Sequence, residues 1–395
     1  MARHTGRARM STGAASPSVA ASSDHARADV SRADVALAEV VKAAYAESRP
    51  LRIVGSGTWL HGGGPFADAT PLSVRNHAGV VEYIPGDLVI TVRAGTTLAE
   101  LAAMTGEHGQ TLALTPYGAP ESTIGAVVAT AASAPLALGD LLVRDLVLGL
   151  TVVTGTGEVV HAGGRVVKNV AGFDLVRMHT GAWGTVGVIT GVSLRLHARP
   201  ACDAVVTGPL TRDVGDVLPA LIANRAPLPM LLRLVPGEVP QLWARVSGNA
   251  ARAAALEARL ATYGVPTRAT VTTGTTLHTS PLLDTPADAI VLRLRTALSD
   301  AVPFVRAARD AMPTATLTFD PARGTLRTVI PSDRRDVVER DVATLYRLAT
   351  QWGAAHPITT VVEQGRTKAA THHRLDAGVK RAFDPGDLLN RLRQP

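Results

Sequence analysis

The chain has 395 residues, 46% of them hydrophobic and 18% charged, which is enough apolar material for a core and excludes global disorder. A single cysteine, Cys202, excludes an internal disulfide, a four-cysteine zinc site and a self-held iron–sulfur cluster. The net charge of +7 is spread along the chain, and aromatics are only 4%, so neither a basic run nor a stacking platform points to nucleic acid.

Residues 1–32 are rich in Ala, Ser and Arg and read as a disordered tail. They carry no apolar run of the kind a secretory signal needs, although a transit peptide is compatible with the composition. No segment has the length and hydropathy of a transmembrane helix. From Asp34 to Ser48, Val35, Leu37, Val40, Val41, Ala44 and Tyr45 trace one helical face that stops before Pro50. Leu51–Val54 reads as a strand that runs into Gly55-Ser56-Gly57-Thr58. Val80–Tyr83 and Leu88–Val92 are strands joined by the turn Pro85-Gly86-Asp87. Thr97 and Glu100 have the spacing of a capping box for a helix reaching about His108. Thr111–Leu114 returns as a strand, Pro116–Pro120 is a loop, and Ser122 is placed to cap a helix over Gly125–Ser133. Asp145–Thr154 alternates as a strand. Gly155-Thr156-Gly157 turns it into Glu158–Val160, and Val186–Leu196 is again strand-like.

Beyond Pro200 the texture changes. Leu231–Val235, Gln241–Val246, Ile290–Arg295, Thr314–Phe319 and Thr325–Ile330 read as strands. Ala250–Thr262 and Asp333–Trp352 read as helices, and a last helix covers about Leu375–Phe383. This mixture suggests an α+β second domain over 201–370, following a first domain over 33–200 to which 371–395 returns.

Gly55-Ser56-Gly57 follows a strand, but Leu60 stands where a Rossmann loop needs its third glycine. No helix follows, and His77 stands where the usual ribose-binding acid would be. A Walker loop is absent. The alternatives at this loop are a plain tight turn or an anion site. Three glycine-bearing segments, 53–64, 115–133 and 163–191, share the first domain. If they converge, their amides could wrap a long cofactor bearing a diphosphate.

The block Gly163-Gly164-Arg165-Val166-Val167-Lys168-Asn169-Val170-Ala171-Gly172-Phe173-Asp174 continues to Gly184-Thr185-Val186-Gly187-Val188-Ile189-Thr190. Together with Ile53–Thr58, Ser122-Thr123-Ile124-Gly125 and Arg144–Gly149, it resembles the flavin-linked oxidases of the vanillyl-alcohol-oxidase or PCMH type. The likeness spans about Arg49–Pro200, returns at Phe383-Asp384-Pro385 and Leu389-Asn390, and runs to the smaller FAD-binding subunit of bacterial glycolate oxidases. The resemblance implies an α+β fold: a PCMH-type FAD-binding domain of two α/β subdomains plus a cap. It implies FAD held by Val54, Gly55, Ser56, Gly57, Thr58 and Trp59, by Pro116, Ser122, Thr123, Gly125 and Ser133, and by Gly187, Val188 and Ile189. The flavin is expected to be non-covalent, because Thr58 occupies the position of the family's linking histidine and His61 lies three residues on. Ala126, Leu136, Ala137 and Leu141 depart from the family's glycines and arginines.

What the resemblance implies functionally is oxidation of a small 2-hydroxy acid, with electrons leaving to an iron–sulfur subunit in a cytoplasmic complex that also holds a larger flavin subunit. That complex could sit peripherally on a membrane through its partners. The alternatives are a scaffold subunit with a degenerate flavin site and a stand-alone alcohol or sugar oxidase. No catalytic base is evident: the family's second-domain His-x-Gly-Asp-Gly-Asn stretch is missing, and His356 and His372-His373 make a poor metal site, so no metal is expected. Lys168 is either flavin-proximal or a structural turn residue. Arg144-Asp145 reads as a loop-fixing pair, Tyr117 as a loop aromatic, Asp174 as a helix cap and Cys202 as a packing residue.

Overall fold

The computed structural model describes residues 18–60, 68–113, 120–131, 142–164, 174–223, 230–265, 268–270, 289–331, 359–364 and 374–391, with positions 340, 343, 344 and 347. The tracts holding His61, Pro116, Tyr117, Ser133, Leu136, Ala137, Leu141, Lys168, His356 and His372-His373, and most of the helix expected over Asp333–Trp352, lie outside these residues.

Helix α1 spans Ser18–Ala46, so the helix begins well ahead of Asp34 and the tail expected over 1–32 is helical from Ser18. Ala38, Val41 and Ala44 form its buried stripe, whereas Val35, Val40 and Tyr45 of the expected apolar face are exposed. Strands β1 (Leu51–Val54) and β2 (Thr70–Ser73) pair in parallel and pack with α1 around Leu51, Leu72, Val74, Val153, Val188 and Leu389. Asp34 and His77, both buried, meet at 3.2 Å and pin α1 to the turn after β2.

A five-stranded antiparallel sheet follows. Its strands are β3 (Val80–Ile84), β4 (Val89–Arg93), β6 (Val147–Val153), β7 (Val159–Gly163) and β8 (Val188–Arg195), in the order β3-β4-β8-β6-β7. A short strand β5 (Gln110–Thr111) pairs instead with β9 (His197–Ala198). Helix α2 (Leu98–Gly106) starts at the capping box: Thr97 accepts from the Glu100 amide, and the Glu100 carboxylate accepts from the Thr97 amide at 2.7 Å. The box holds the Glu100 carboxyl below its usual range, first through the bond from the Thr97 backbone. Helix α3 (Ile124–Thr130) is capped by Thr123 rather than Ser122. The stretch read as one strand from Asp145 splits into a single turn, α4 (Val143–Leu146), and β6. The turn is fixed by Asp145 accepting from the Leu142 amide at 2.9 Å. Asp174 caps α5 (Leu175–His179) by accepting from the Arg177 amide. Ile90, Val92, Leu101, Ile124, Val127, Leu146, Leu150 and Leu194 fill the core of this lobe.

The second domain is built on an eight-stranded antiparallel sheet. In chain order its elements are β10 (Cys202–Pro209), α6 (Val214–Ala223), β11 (Met230–Leu234), β12 (Gln241–Gly248), α7 (Ala250–Thr262), β13 (Arg268–Thr270), β14 (Ile290–Arg295), α8 (Ala301–Ala311), β15 (Thr316–Asp320), β16 (Thr325–Ile330) and β17 (Thr359–Gln364). The strand order is β13-β10-β12-β11-β15-β16-β14-β17. One face packs on the helices through Leu232, Leu292, Leu294, Phe304 and Phe319. The other face carries a bidentate pair in which Arg245 donates to Asp203 at 2.7 and 2.6 Å.

The C-terminal segment comes back to the first lobe through α9 (Arg374–Phe383). The Leu51 amide donates to the Leu388 carbonyl at 2.8 Å, and the Asn390 amide donates to the Leu51 carbonyl at 2.9 Å. Leu389 thus bridges β1 on the edge away from β2. Among the described residues no helix is long and apolar enough to cross a membrane.

Candidate functional site: a glycine-walled cleft

The three glycine-bearing segments meet in one open cleft. Its walls are the loop from Val54 to Leu60 after β1, the inner face of α3 (Gly125, Ala126, Ala129, Thr130), and the run through Trp183, Gly184, Gly187 and Ile189 into β8. Each wall is positioned by a contact that tolerates little bulk. A Cβ on Gly55 would strike the Thr123 hydroxyl, and one on Gly125 would lie 2.8 Å from the Ala94 methyl. The start of α3 is stitched to the segment before α2. The Ile124 amide donates to the Thr96 carbonyl at 2.8 Å, and the Gly125 amide donates to the Ala94 carbonyl at 2.9 Å. The helix entrance therefore spends its own amides internally, and the donors available to a ligand come from the loop.

That loop has them. Among the described residues, the amides of Gly55, Ser56, Gly57, Thr58 and Trp59 donate to no protein acceptor. Gly57 sits at φ +82°, so the loop can turn consecutive N–H groups toward one point, an arrangement that favours anions. The Ser56 hydroxyl and the Trp59 indole N–H are buried without a hydrogen-bond partner. Thr58 accepts a bond from Ser122 at 3.0 Å. Arg52, at the base of the loop, donates to the Leu60 carbonyl at 3.1 Å. Burial pulls its guanidinium down to about 10, so it still carries positive charge at neutral pH.

The opposite wall holds Trp183 in the left-handed region at φ +55°, a conformation an indole adopts only when its surroundings impose it. Its amide donates to the Ala129 carbonyl at 2.8 Å, and its carbonyl accepts from the Asn390 side chain at 2.7 Å. Trp183 meets Trp59 edge to face at 6.3 Å. Asn390 also accepts from the Ile53 amide at 2.8 Å, so one side chain ties β1 to the Trp183 turn.

A family profile for an FAD binding domain matches residues 32–163. The glycolate oxidase subunit GlcE of Escherichia coli is 42% identical over 162 residues, covering 40% of this chain and 46% of that one. The D-lactate dehydrogenase of Archaeoglobus fulgidus is 30% identical over 212 residues, covering 53% and 47%. The chain thus spans about half the length of these curated relatives. Residues 32–163 are an FAD-binding domain. Over 89% of its length the chain shares the fold of substrate-bound p-cresol methylhydroxylase, with a TM-score of 0.68 over 85% of that chain, at 14% identity. That is the PCMH-type fold expected from the motif blocks.

The residues of the FAD domain fit the group. Orphaned loop amides, an orphaned hydroxyl and an indole N–H match a ligand rich in acceptors, and the glycines keep the walls clear. Of the residues singled out from sequence, Val54, Gly55, Ser56, Gly57, Thr58, Trp59, Thr123, Gly125, Gly187 and Ile189 line the cleft. Ser122 lies beneath it, fully buried, and Val188 belongs to the core behind it. Pro116 and Ser133 lie outside the described residues. Trp183, Gly184 and Asn390 line it as well. Asn390 stood in the motif near Leu389, but nothing local marks it as a cleft residue.

His179 lies behind Gly187, edge to face with Phe383 at 5.6 Å and 2% exposed. Burial pushes its imidazole down to about 4. Between the ordinary value near 6.5 and that value, the unfolded chain binds the proton and the folded chain refuses it, so stability falls as pH drops through this window. The loss should be on the order of 3 kcal/mol from pH 7 to 4. His179→Phe should flatten that limb in urea titrations run across this range.

Proposed function

We propose that this chain is the FAD-binding subunit of a glycolate-oxidase-like dehydrogenase that oxidises a small 2-hydroxy acid. The observation that carries the reading is the convergence of the three glycine segments on one cleft with unspent loop amides, in a region 42% identical to GlcE. We take residues 33–200 with 371–395 as the flavin-binding unit and 201–370 as the cap, and place the protein in the cytoplasm.

The amides of Gly55–Trp59 and the Ser56 hydroxyl would hold the diphosphate, with Arg52 supplying positive charge from below. Thr123 would keep the loop and α3 in register, and the Trp183–Ile189 wall would face the rest of the dinucleotide. Amide donors suit this task because they do not ionise near neutrality, so their hold on the diphosphate does not change with pH there. Thr58 offers a hydroxyl where a covalent link would need an imidazole, which supports non-covalent binding. FAD, when bound, supplies two-electron acceptance from the substrate carbon. With one cysteine, the chain relies on a partner to carry electrons onward; we assign that role to an iron–sulfur subunit, beside a larger flavin subunit.

Ala126 places a methyl on the cleft wall where the resembling family has glycine, and this observation favours the second reading, a scaffold subunit that no longer retains flavin. Purified chain refolded with FAD should turn yellow, and with its partner subunits it should bleach anaerobically on adding glycolate or D-lactate. A colourless protein after refolding would overturn the cofactor claim and favour the scaffold. Bleaching and turnover by the chain alone would favour a stand-alone oxidase.

A further inference from the structure

Helix α3 is held at both ends by different parts of the molecule. At its start, Thr123 touches Gly55 and caps the Ala126 amide at 3.3 Å. At its end the carbonyls, which carry the negative pole of the helix, are taken up one by one. Val128 accepts from the Gly181 amide at 3.0 Å and Ala129 from the Trp183 amide at 2.8 Å. The last two, Thr130 and Ala131, accept from Arg293 at 3.4 and 3.3 Å. Arg293 belongs to the second domain. It lies mid-strand on β14, on the face opposite Leu292 and Leu294, which point into that domain's own core. Its direct cross-strand neighbour is Arg327 on β16, itself 7% exposed. The Arg293 fork reaches out of this sheet to a helix of the first lobe.

We propose that Arg293 is a positioning residue that couples the second domain to the dinucleotide cleft through α3. The guanidinium fork caps the C-terminal carbonyls of the helix whose Ala126, Ala129 and Thr130 wall the cleft. It therefore fixes α3 relative to the Gly55 loop at one end and the Trp183 turn at the other. By linkage, whatever the cleft gains from a docked second domain, the second domain gains from an occupied cleft. This inference rests on the FAD reading of the cleft.

The test uses the full chain. Arg293→Met keeps the aliphatic stem and removes the donors. It should weaken FAD binding about tenfold, read by flavin fluorescence. Arg293→Lys, which keeps the charge without the fork, should fall between the two and carries the same comparison if the Met variant does not fold. Adding FAD should slow amide exchange in β14 of the unaltered chain but not of Arg293→Met. An FAD affinity equal to that of the unaltered chain, even with a lowered melting temperature, would show a purely structural contact and overturn the coupling. Failure of the unaltered chain to bind FAD at all would instead overturn the cofactor reading and the coupling with it.

Discussion

Lys380→Met is expected to destabilise the protein by about 3–5 kcal/mol, measured by urea denaturation. The ammonium donates to the Thr185 carbonyl at 2.7 Å, the Leu389 carbonyl at 2.8 Å and Asp384 at 2.6 Å, and it faces Asp387 at 3.2 Å. Asp384 is fully buried and also accepts from the amides of Leu388 and Leu389 at 3.1 and 2.8 Å. Removing the cation leaves a carboxylate in the interior with amide donors but no counter-charge, which is the costly half of a broken buried pair. The damage should extend to the cleft, because the Thr185 and Leu389 carbonyls adjoin the Trp183 turn and the β1 edge. A loss under about 1 kcal/mol would mean that the pair behaves as a solvated surface bridge.

Gly55→Ala is expected to weaken FAD binding by about ten- to a hundredfold, the equivalent of 1–3 kcal/mol of overpacking. The new methyl meets the Thr123 hydroxyl and lies 3.2 Å from its Cγ2. Thr123 cannot retreat cheaply, because it bridges Thr97 and caps α3. The loop must therefore move, and its five unspent amides move with it. Gly86→Ala is the control, since nothing lies within 4 Å of the added carbon. Equilibrium dialysis of FAD against both variants makes the comparison. Equal retention by the two would show that the Gly55–Thr123 approach is not needed.

Local signals proved readable where the physics is local. Thr97 and Glu100 satisfy each other's amides within one helical turn, and Asp174 caps α5 in the same way. The α3 cap moved by one residue, to Thr123, because Ser122 is drawn away to Thr58, a partner sixty-four positions distant. Elements carrying awkward residues were not foreseen. Helix α6 contains Pro219 and α8 has Pro303 near its start, while β10 mixes Cys, Thr, Gly and Pro. Within the cleft, the glycine loop was legible because glycine runs announce close approach. Trp183 and Arg293 were not, since their roles depend on α3, far away in sequence.

The stitching of β1 by Leu388 and Asn390 has a consequence for biosynthesis. During translation the glycine loop emerges early, yet its leading strand lacks one neighbour, and the Trp183 turn lacks the Asn390 amide, until residue 390 has cleared the ribosome tunnel. Flavin retention is therefore expected to require residue 390 to be exposed, and nascent chains stalled before that point should be pulled down without pigment.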